Sequence, residues 1–402
     1  MEERYRSGDG PTTHSTSTRP RAAPNGTCED GAVTAPDPTL TLAGAPVPLT
    51  VPARLYVCGI TPYDVTHLGH ASTFVWADTV ARVVRMTGTD TVVARNVTDV
   101  DDELTRAAAE RGKPYDEFGL SQEFTVDHDL AALHVRRPEH EPHARHHVRH
   151  VVALAAALLG AGAAYERGGG IWFRGAAVPA AAGLDRDTAL ALARANGDDP
   201  DDPRRDDPFD VPVWWPADGH GPSWPSPWGP GRPGWHATCA AMALATLGGT
   251  VDVLVGGADL AFPHHAYQVA LAAAATGAAP YARRRMPVGT VHVDGAKMAK
   301  STGNLVLVGD LVERYPGAAL RLLLLERPWA VDWEYRPEAL DDAAARLDRL
   351  YRAAATGGGS EADVAAVRAA LLDDLDVPAA MGVALDAGGA AARQVVRTLA
   401  LQ

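Results

Sequence analysis

Apolar runs near the start of the patterned part of the chain follow the order strand, helix, strand. An apolar strand over 54–57 leads into a turn-rich segment, a helix covers about 71–87, and a second strand covers 91–95. Connections of this order and length form right-handed βαβ units, whose strands lie parallel in one sheet. The pattern therefore predicts an α/β fold built on a parallel sheet.

The remaining pattern divides the chain into five parts. Residues 1–50 are rich in Thr, Pro, Ser and Gly without a sustained period, so we expect a mostly disordered leader with a short strand near 40–49. Residues 113–211 contain helical stretches, a short strand over 171–174 and an acidic loop, which indicates a subdomain inserted into the main domain. The expected parts are the leader (1–50), the first half of the main domain (51–112), an inserted α/β subdomain (113–211), the second half of the main domain (212–310) and a C-terminal helical bundle (311–402).

Helical patterns dominate the second half of the chain. We predict a helix over 238–247, a strand over 250–255, a helix from about 264, a strand over 291–293, helices over 311–327 and 336–356, and an Ala-rich helical pair ending at 402. The longest apolar run, 151–165, contains Gly160 and Gly162 and is shorter than the ~20 residues that cross a bilayer. It therefore predicts a packed helix.

Composition places the chain among ordinary globular proteins, with 46 % hydrophobic and 22 % charged residues. The 37 basic against 50 acidic residues give a net charge of −13, so the chain lacks the basic surplus of a nucleic-acid binder. Three cysteines cannot form a disulfide framework, which indicates a reducing compartment. Because no signal-peptide pattern is present either, we expect a cytoplasmic monomer with no membrane partner.

The first candidate chemical motif is a pair of histidines, His67 and His70, which flank Gly69 where the first helix is predicted to begin. A helix N-terminus offers backbone N–H groups and a positive dipole end, and imidazoles add donors for a triphosphate. The glycine lets a flat ring approach the backbone. A motif of only four residues often occurs by chance. The alternative to a triphosphate site is therefore an ordinary cap at the start of a surface helix.

The second candidate motif uses lysine, which is rare here: Lys113, Lys297 and Lys300 are the only three among 37 basic residues. Where Arg supplies nearly every cation, a retained lysine indicates a need for a compact ammonium group. Two of the three lie in the run 297–301 (KMAKS), on a loop bounded by Gly and Ser. Two ammonium groups on such a loop can neutralise a pyrophosphate leaving group, whereas the alternative is a solvated charged loop.

Together, in this order and spacing, the two motifs resemble the signature pair of class I aminoacyl-tRNA synthetases. The resemblance implies a Rossmann-type parallel sheet and the ATP-dependent adenylation of a carboxylate, with Mg²⁺ accompanying ATP. It implies that His67 and His70 act at the phosphates and that Lys297 and Lys300 close over them from the mobile loop.

A third set of residues could bind a metal ion and thereby determine which amino acid is the substrate. Cys58 ends the first strand, Cys239 follows the segment 234–236, and the pair His264 and His265 follows the segment 257–259. Two cysteines and a histidine from three segments around one sheet can form a tetrahedral zinc site with an open position. Because the three are far apart in sequence, buried cysteines without a metal remain the alternative.

Segments 56–76, 96–103, 222–242, 256–265 and 297–305 are similar to cysteinyl-tRNA synthetase and to its shorter relatives, the mycothiol-pathway cysteine ligases. The ligase family joins L-cysteine to the amine of glucosaminyl-inositol. The resemblance implies one zinc held by Cys58, Cys239 and His264, with the cysteine thiolate as fourth ligand. It also implies a cysteinyl-adenylate and ATP pocket lined by Cys58, Gly59, Ile60, Thr61, Thr73, Asn96, Val97, Thr98, Trp235, Gly257, Ala258, Asp259 and Val291.

Two features favour the ligases over the synthetase. The synthetase resemblance predicts a Glu four residues after the ligand histidine, but Gln268 stands there, and a neutral amide is a poor zinc ligand. Residues 336–402 hold seven Arg and no Lys against ten acidic residues, a poor surface for an RNA backbone. We therefore expect ATP, L-cysteine and an amino-sugar acceptor as partners, and no tRNA.

Departures from the ligase pattern keep alternatives open. Ala299 stands where Ser is usual, and the segment 195–200 differs from its counterpart in the ligases. The alternatives are a cysteinyl-tRNA synthetase, a ligase paralogue that joins cysteine to another small amine, and a non-catalytic regulatory relative. Five histidines between 140 and 150 include four at helical spacing, which favours the entry of a surface helix over a second metal site.

Overall fold

The computed structural model describes residues 39–63, 66–219, 221–299 and 302–402. The strands are β1 (Thr41–Leu42), β2 (Ala45–Pro46), β3 (Ala53–Ile60), β4 (Thr91–Val97), β5 (Ala164–Arg167), β6 (Gly170–Phe173), β7 (Val211–Pro216), β8 (Gly231–Pro233), β9 (Val251–Gly257), β10 (Ala282–Val288), β11 (Val291–Val293), β12 (Ala296–Lys297) and β13 (Trp333–Glu334). The α-helices are α1 (Leu68–Met86), α2 (Asp102–Glu110), α3 (Tyr115–Ala132), α4 (Val148–Gly160), α5 (Val178–Ala181), α6 (Arg186–Ala195), α7 (Trp235–Leu247), α8 (Ala266–Thr276), α9 (Val308–Val312), α10 (Gly317–Leu325), α11 (Glu338–Ala355), α12 (Glu361–Leu372), α13 (Val377–Ala387) and α14 (Gly389–Thr398).

The central element is a parallel sheet with the strand order β10-β9-β3-β4, which confirms the predicted α/β class. Tyr56 in the middle of β3 pairs with Ala94 on one side and with Leu254 on the other. Successive residues of β3 face opposite sides of this sheet, as a strand requires. Val57 packs in the core that contains α1, whereas Cys58 packs in the core that contains α7. The sheet therefore directs Cys58 towards the helix that carries Cys239.

Helix α1 crosses from β3 to β4 and fixes one wall of the site. It begins after His67, whose Nδ1 accepts a hydrogen bond from the Gly69 amide at 3.1 Å. Phe74, Trp76 and most of their helical neighbours are buried, and the helix ends before Gly88, where φ is +89°. Because a histidine caps it, α1 begins three residues earlier than the apolar pattern predicts.

The segment between β4 and α7 contributes an antiparallel sheet of order β5-β6-β7-β8. Its large side chains Trp172 and Trp214 are fully buried. Trp214 packs in a core that also receives Ala237 of α7 and Leu271 of α8, so this sheet and the parallel sheet share helices. The predicted strand over 171–174 is confirmed as β6. The division at 113 and 211 stays a prediction, and the sheet itself continues to β8.

The end of the expected leader is ordered. Strands β1 and β2 form a short hairpin, and Leu40, Leu42 and Val47 are buried in the same core as the C-terminal helices. The Ala43 amide donates to Asp374 Oδ1 at 2.8 Å. The short strand expected near 40–49 is present as this hairpin, and its apolar side chains pack against a partner more than 300 residues later. Residues 1–38 lie outside the described part of the chain.

The C-terminal region is helical, as predicted, but its breaks differ. The predicted helix over 311–327 is two helices, since Pro316 cannot continue α9 into α10. The predicted Ala-rich pair is three helices, because Asp374 and Leu375 adopt positive φ between α12 and α13 and Gly388 does so between α13 and α14. Among the described residues, no helix combines the length and apolarity that crossing a membrane would need.

Candidate active site

A cleft of about 340 Å³ opens at the carboxyl ends of β3 and β9, beside the N-terminus of α1. Ligands of open parallel sheets bind at this edge, where loops and helix N-termini converge. Twelve predicted site residues line the cleft: Cys58, Gly59, Ile60, Thr61, His67, His70, Thr73, Gly257, Ala258, Asp259, Val291 and Lys297. The fold thus brings the two signature motifs, about 230 residues apart in sequence, to one cavity.

Asn96, Val97, Thr98 and Trp235 were predicted to line the same pocket but lie outside its wall. Asn96 is buried; its Oδ1 accepts from the Gly59 amide at 3.0 Å, and its Nδ2 donates to Thr98 Oγ1 at 3.0 Å. A Cβ at position 59 would lie 1.7 Å from the Asn96 carbonyl oxygen. Asn96 and Gly59 therefore shape the backbone of the cleft from behind.

The two histidines of the first motif form one unit at the start of α1. The rings of His67 and His70 stack with their centroids 3.9 Å apart and their planes at 26°. A Cβ on Gly69 would lie 2.9 Å from His67 Cε1, so a larger residue would displace the His67 ring from this stack. The stack presents two imidazoles beside the backbone N–H groups of a helix N-terminus, an arrangement suited to anionic oxygens. Their role at ATP phosphates stays a prediction.

The second motif meets the cleft through Lys297, whose Nζ lies 2.6 Å from Asp259 Oδ2. Both side chains are about half exposed, 50 % and 48 %. Downstream, Asn304 Oδ1 accepts hydrogen bonds from the Ala299 amide at 3.0 Å and from Thr302 Oγ1 at 2.6 Å, which ties the base of the loop together. Lys300 lies outside the described residues, so its predicted role stays a prediction.

Cys58, Cys239 and His264 meet in the interior beside the cleft. One potential ligand atom from each lies within 4.8 Å of the other two, and all three residues are buried. Burial raises the pKa of the Cys58 thiol, whereas the hydrogen bond from Cys58, followed by the nearby His264, holds the pKa of Cys239 well below its usual range. Two sulfur donors and one imidazole in a buried position fit the donor preference of zinc.

His236 supports this cluster, and the sequence reasoning did not find it. Its Nδ1 lies 3.0 Å from His264 Nδ1, and burial lowers the pKa of His236 to about 3, which leaves the ring neutral. The ring stacks on Tyr267, whose hydroxyl donates to the Phe209 carbonyl at 2.6 Å. When His264 Nδ1 donates to His236, its Nε2 keeps a lone pair for a metal, the usual arrangement behind a ligand histidine.

Gln268 stands next to the cluster, where the synthetase resemblance predicts an acid. The Cys58 thiol lies 3.5 Å from Gln268 Oε1, and the Gln268 side chain is fully buried. Its Nε2 has no hydrogen-bond partner among the described residues. A neutral amide at this position leaves the fourth side of the cluster without a carboxylate.

The histidine-rich segment forms an ion-pair network. His143 Nδ1 lies 3.0 Å from Asp99 and its Nε2 lies 3.4 Å from Glu123, and these contacts raise the pKa of His143 to about 9. Within the described part of the chain, the one group of His, Cys, Asp and Glu atoms placed for a metal is the set Cys58, Cys239 and His264. That the histidine run is not a metal site stays a prediction.

The family of catalytic domains described as tRNA synthetases class I (C) matches residues 49–345. The chain belongs to this family. The match begins just after the β1–β2 hairpin, covers every strand of the parallel sheet and ends within α11. The HLGH motif (67–70) and the KMAKS motif (297–301) of this class I domain both lie inside it.

Two relatives of this class I domain carry the same name, L-cysteine:1D-myo-inositol 2-amino-2-deoxy-alpha-D-glucopyranoside ligase. The protein of Mycolicibacterium vanbaalenii is 44 % identical over 353 residues, which cover 85 % of this chain and 82 % of the relative. The protein of Frankia alni is 43 % identical over 344 residues, covering 83 % and 82 %. Similarity therefore extends over most of both proteins rather than over the sheet alone.

Solved structures with the same fold are more distant in sequence. Methionyl-tRNA synthetase of Mycobacterium tuberculosis, in complex with methionyl-adenylate, has a TM-score of 0.61 at 19 % identity and covers 88 % of this chain and 82 % of its own. A putative arginyl-tRNA synthetase of Campylobacter jejuni has a TM-score of 0.53 at 14 % identity, with coverage of 88 % and 85 %. At these identities the likeness establishes the class I synthetase fold.

Proposed function

We propose that this chain is an ATP-dependent ligase that joins L-cysteine to the amine of 1D-myo-inositol 2-amino-2-deoxy-α-D-glucopyranoside, with AMP and diphosphate as the other products. The observation that carries the proposal is the placement of a buried Cys58, Cys239 and His264 set beside the cleft of His67, His70 and Lys297. The 44 % identity to a protein named as this ligase supports the same acceptor.

The first step forms cysteinyl-adenylate. A carboxylate oxygen of cysteine bonds to the α-phosphorus of ATP, and the bond from that phosphorus to the bridging oxygen breaks, so that diphosphate leaves with the electron pair and with Mg²⁺. His67 and His70 donate to the phosphate oxygens at the N-terminus of α1, where the helix dipole adds positive potential. Such steps depend on positioning and on stabilising the charge that develops.

Lys297 is already held over the cleft by Asp259. Its ammonium group, with that of Lys300 from the same loop, meets the negative charge that accumulates on the departing diphosphate. Because both members of the Lys297–Asp259 pair are half exposed, exchanging this partner for phosphate oxygens costs little. The pair therefore keeps the cation in place before ATP binds.

Cysteine is distinguished from other amino acids at the buried cluster. Cys58, Cys239 and His264 would hold a zinc ion, and that ion would supply a thiophilic Lewis acid that favours the thiolate of cysteine far more than the hydroxyl of serine. Gln268 keeps the fourth side of the cluster free of a competing carboxylate, and His236 orients the His264 ring. The discrimination between cysteine and serine by metal coordination exceeds the ~1–3 kcal/mol that the shape of a pocket provides. Such a site therefore requires no editing domain.

The second step forms the amide. The neutral amine nitrogen of the acceptor bonds to the carbonyl carbon of cysteinyl-adenylate, and the bond from that carbon to the phosphate oxygen breaks. AMP leaves with the electron pair, and the amine proton passes to solvent. The acidic balance of the region after β13, seven Arg against ten acids, supports a small amino-sugar acceptor over a tRNA.

The experiment is steady-state AMP release with the purified full chain, ATP and cysteine, with glucosaminyl-inositol in one reaction and tRNA in another. We expect release to depend on both cysteine and the amino sugar, and the product to carry the mass of the cysteinyl amide. Serine in place of cysteine is the matched control. Cysteine esterified to tRNA without any amide would overturn the proposal in favour of a synthetase, and an amide formed only with a different amine would do so in favour of a paralogue.

A further inference from the structure

A second cavity, of about 520 Å³, lies outside the adenylate cleft and shares none of its lining residues. It is formed by the segment after β4, by α2 and the start of α3, by the short helical turn Ala144–His146 and by the loop before β8. Its volume lies in the range of about 300–1,000 Å³ that is typical of small-molecule sites. None of the residues around it takes part in the adenylation step.

The second cavity adjoins the cysteine end of the first cleft. Thr98 precedes the cavity residue Asp99, and its amide donates to the carbonyl of Ile60, a cleft residue, at 2.8 Å. Tyr63 of the cleft and Tyr115 of the cavity pack against the same small core around Leu104. Both spaces therefore open at the carboxyl edge of one sheet, on the neighbouring strands β3 and β4.

The opposite wall of the cavity is connected through the chain to the helix that carries Cys239. Trp224 lines the cavity and exchanges two backbone hydrogen bonds with Gly231 at the start of β8, at 2.7 and 2.9 Å. Strand β8 runs into α7, which carries Cys239. The nucleotide end, with His67 and Lys297, belongs to α1 and β12, which contribute nothing to this cavity. A ligand here would approach the aminoacyl part of the adenylate.

The cavity offers several fixed polar groups. Asp99 is buried and accepts hydrogen bonds from the Arg145 amide at 2.9 Å and from its guanidinium Nε at 2.5 Å. The same guanidinium reaches Asp116 at 2.9 Å. His143 contacts Asp99 from outside the cavity, so the carboxylate is held from three directions. Preorganised groups of this kind bind hydroxyl groups without reorganisation.

One polar atom in this wall lacks a partner. The Tyr115 hydroxyl is buried and has no hydrogen-bond partner among the described residues. Burial raises the pKa of Tyr115, so the group stays protonated and can both donate and accept. A buried hydroxyl left unpaired costs free energy, and a ligand hydroxyl in the cavity would relieve that cost. Trp224 adds an apolar face against which the C–H side of a sugar ring can pack.

We propose that this cavity, bounded by Asp99, Tyr115, Asp116, Arg145 and Trp224, binds the polyhydroxylated amino-sugar acceptor. The assignment rests on the proposed function, whose second step needs an acceptor site beside the cysteinyl carbonyl. Asp99 and Asp116 both pair with Arg145, and His143 contacts Asp99 from behind, so the wall lacks the cationic surplus that a phosphodiester chain would need. Asp116, the exposed carboxylate of the two, can pair with the ammonium form of the acceptor, which loses its proton to water before it attacks.

The test uses Tyr115→Phe and Asp116→Asn in the full chain, with Glu117→Gln as matched control on the exposed side of the same helix turn. Tyr115→Phe removes one hydroxyl without changing the ring, and Asp116→Asn removes one charge from a side chain that is 71 % exposed. We expect each to raise the KM for glucosaminyl-inositol about three- to tenfold, as for the loss of one hydrogen bond. The KM values for cysteine and ATP should move much less, and Glu117→Gln should leave all three unchanged.

The outcomes separate this proposal from the proposed function. If the wild-type chain forms no amide with glucosaminyl-inositol, the proposed function fails and this acceptor site fails with it. If the wild type forms the amide and both variants keep the wild-type KM for the sugar, the cavity is not the acceptor site although the function stands. Circular dichroism of each variant distinguishes a folding defect from a loss of acceptor binding. A folded Tyr115→Phe chain with an unchanged KM for the acceptor overturns the proposal by itself.

Discussion

Replacement of Lys297 by alanine separates a catalytic role from a structural one. In the ground state its Nζ pairs with Asp259 at 2.6 Å, with both side chains about half exposed. Exposed pairs of this kind contribute ~0.2–1 kcal/mol to folding. The same ammonium placed against the developing charge of diphosphate is a transition-state donor, and such donors contribute ~3–4 kcal/mol.

These magnitudes predict a large kinetic effect and a small thermal one. Lys297→Ala should lower cysteine-dependent ATP–pyrophosphate exchange by roughly two to three orders of magnitude. Its melting temperature should shift by only about 2 °C, because the lost pair is half solvated. The exchange assay measures adenylation without an acceptor, so it isolates the step in which the lysine is proposed to act.

Lys113→Ala is the matched control, since Lys113 is an exposed lysine away from the cleft. It should retain wild-type exchange. An exchange rate for Lys297→Ala within a few-fold of wild type would refute the assignment of the loop to catalysis. A rate that falls only in proportion to lost folded protein would assign Lys297 a structural role instead.

Three further predictions concern the metal cluster and the histidine network. Cys239→Ala should abolish the stoichiometric zinc that we expect by elemental analysis of the purified chain, whereas full retention of zinc would remove Cys239 from the ligand set. His236→Phe should keep the fold but release zinc to a chelator at ~10–100-fold lower chelator concentration, because His264 loses its orienting partner; an unchanged release curve would contradict that role. The contacts with Asp99 and Glu123 raise the pKa of His143 from 6.5 to about 9. The contribution of protonated His143 to the free energy of unfolding is therefore complete below pH 6.5 and is lost as pH rises through about 9. The stability difference between wild type and His143→Gln, measured by urea unfolding, should shrink across that interval, and a difference that grows with pH would contradict the sign.

The sequence predicted those features that local patterns encode. The order of strand and helix near 54–95 predicted the parallel sheet, and the residues around Gly69 predicted a helix start because capping and close ring approach are local requirements. The convergence of His67 and Lys297 was accessible only through the resemblance to class I synthetases, since no spacing rule connects residues 230 positions apart.

What the sequence did not predict depends on contacts between distant segments. Leu40 and Leu42 lie in a Thr- and Pro-rich stretch, and only the helices near Asp374 make their burial possible. His236 looks like an ordinary residue after a tryptophan until the fold places it against His264. The second cavity likewise combines Asp99 and Trp224 from segments with no shared motif. Each of these needed tertiary structure, because no periodicity records which faces will meet.

A single-turnover transfer from preformed cysteinyl-adenylate shows whether an amino sugar or a tRNA accepts the cysteine. The enzyme is incubated with ATP, cysteine and pyrophosphatase, freed of excess substrates, and then mixed with glucosaminyl-inositol or with tRNA. Mass spectrometry of quenched samples identifies the bond that forms. We predict that the adenylate disappears with the appearance of one cysteinyl amide on the amino-sugar nitrogen, while the tRNA sample retains its adenylate. Transfer of cysteine to tRNA, with the adenylate untouched by the amino sugar, would contradict this prediction.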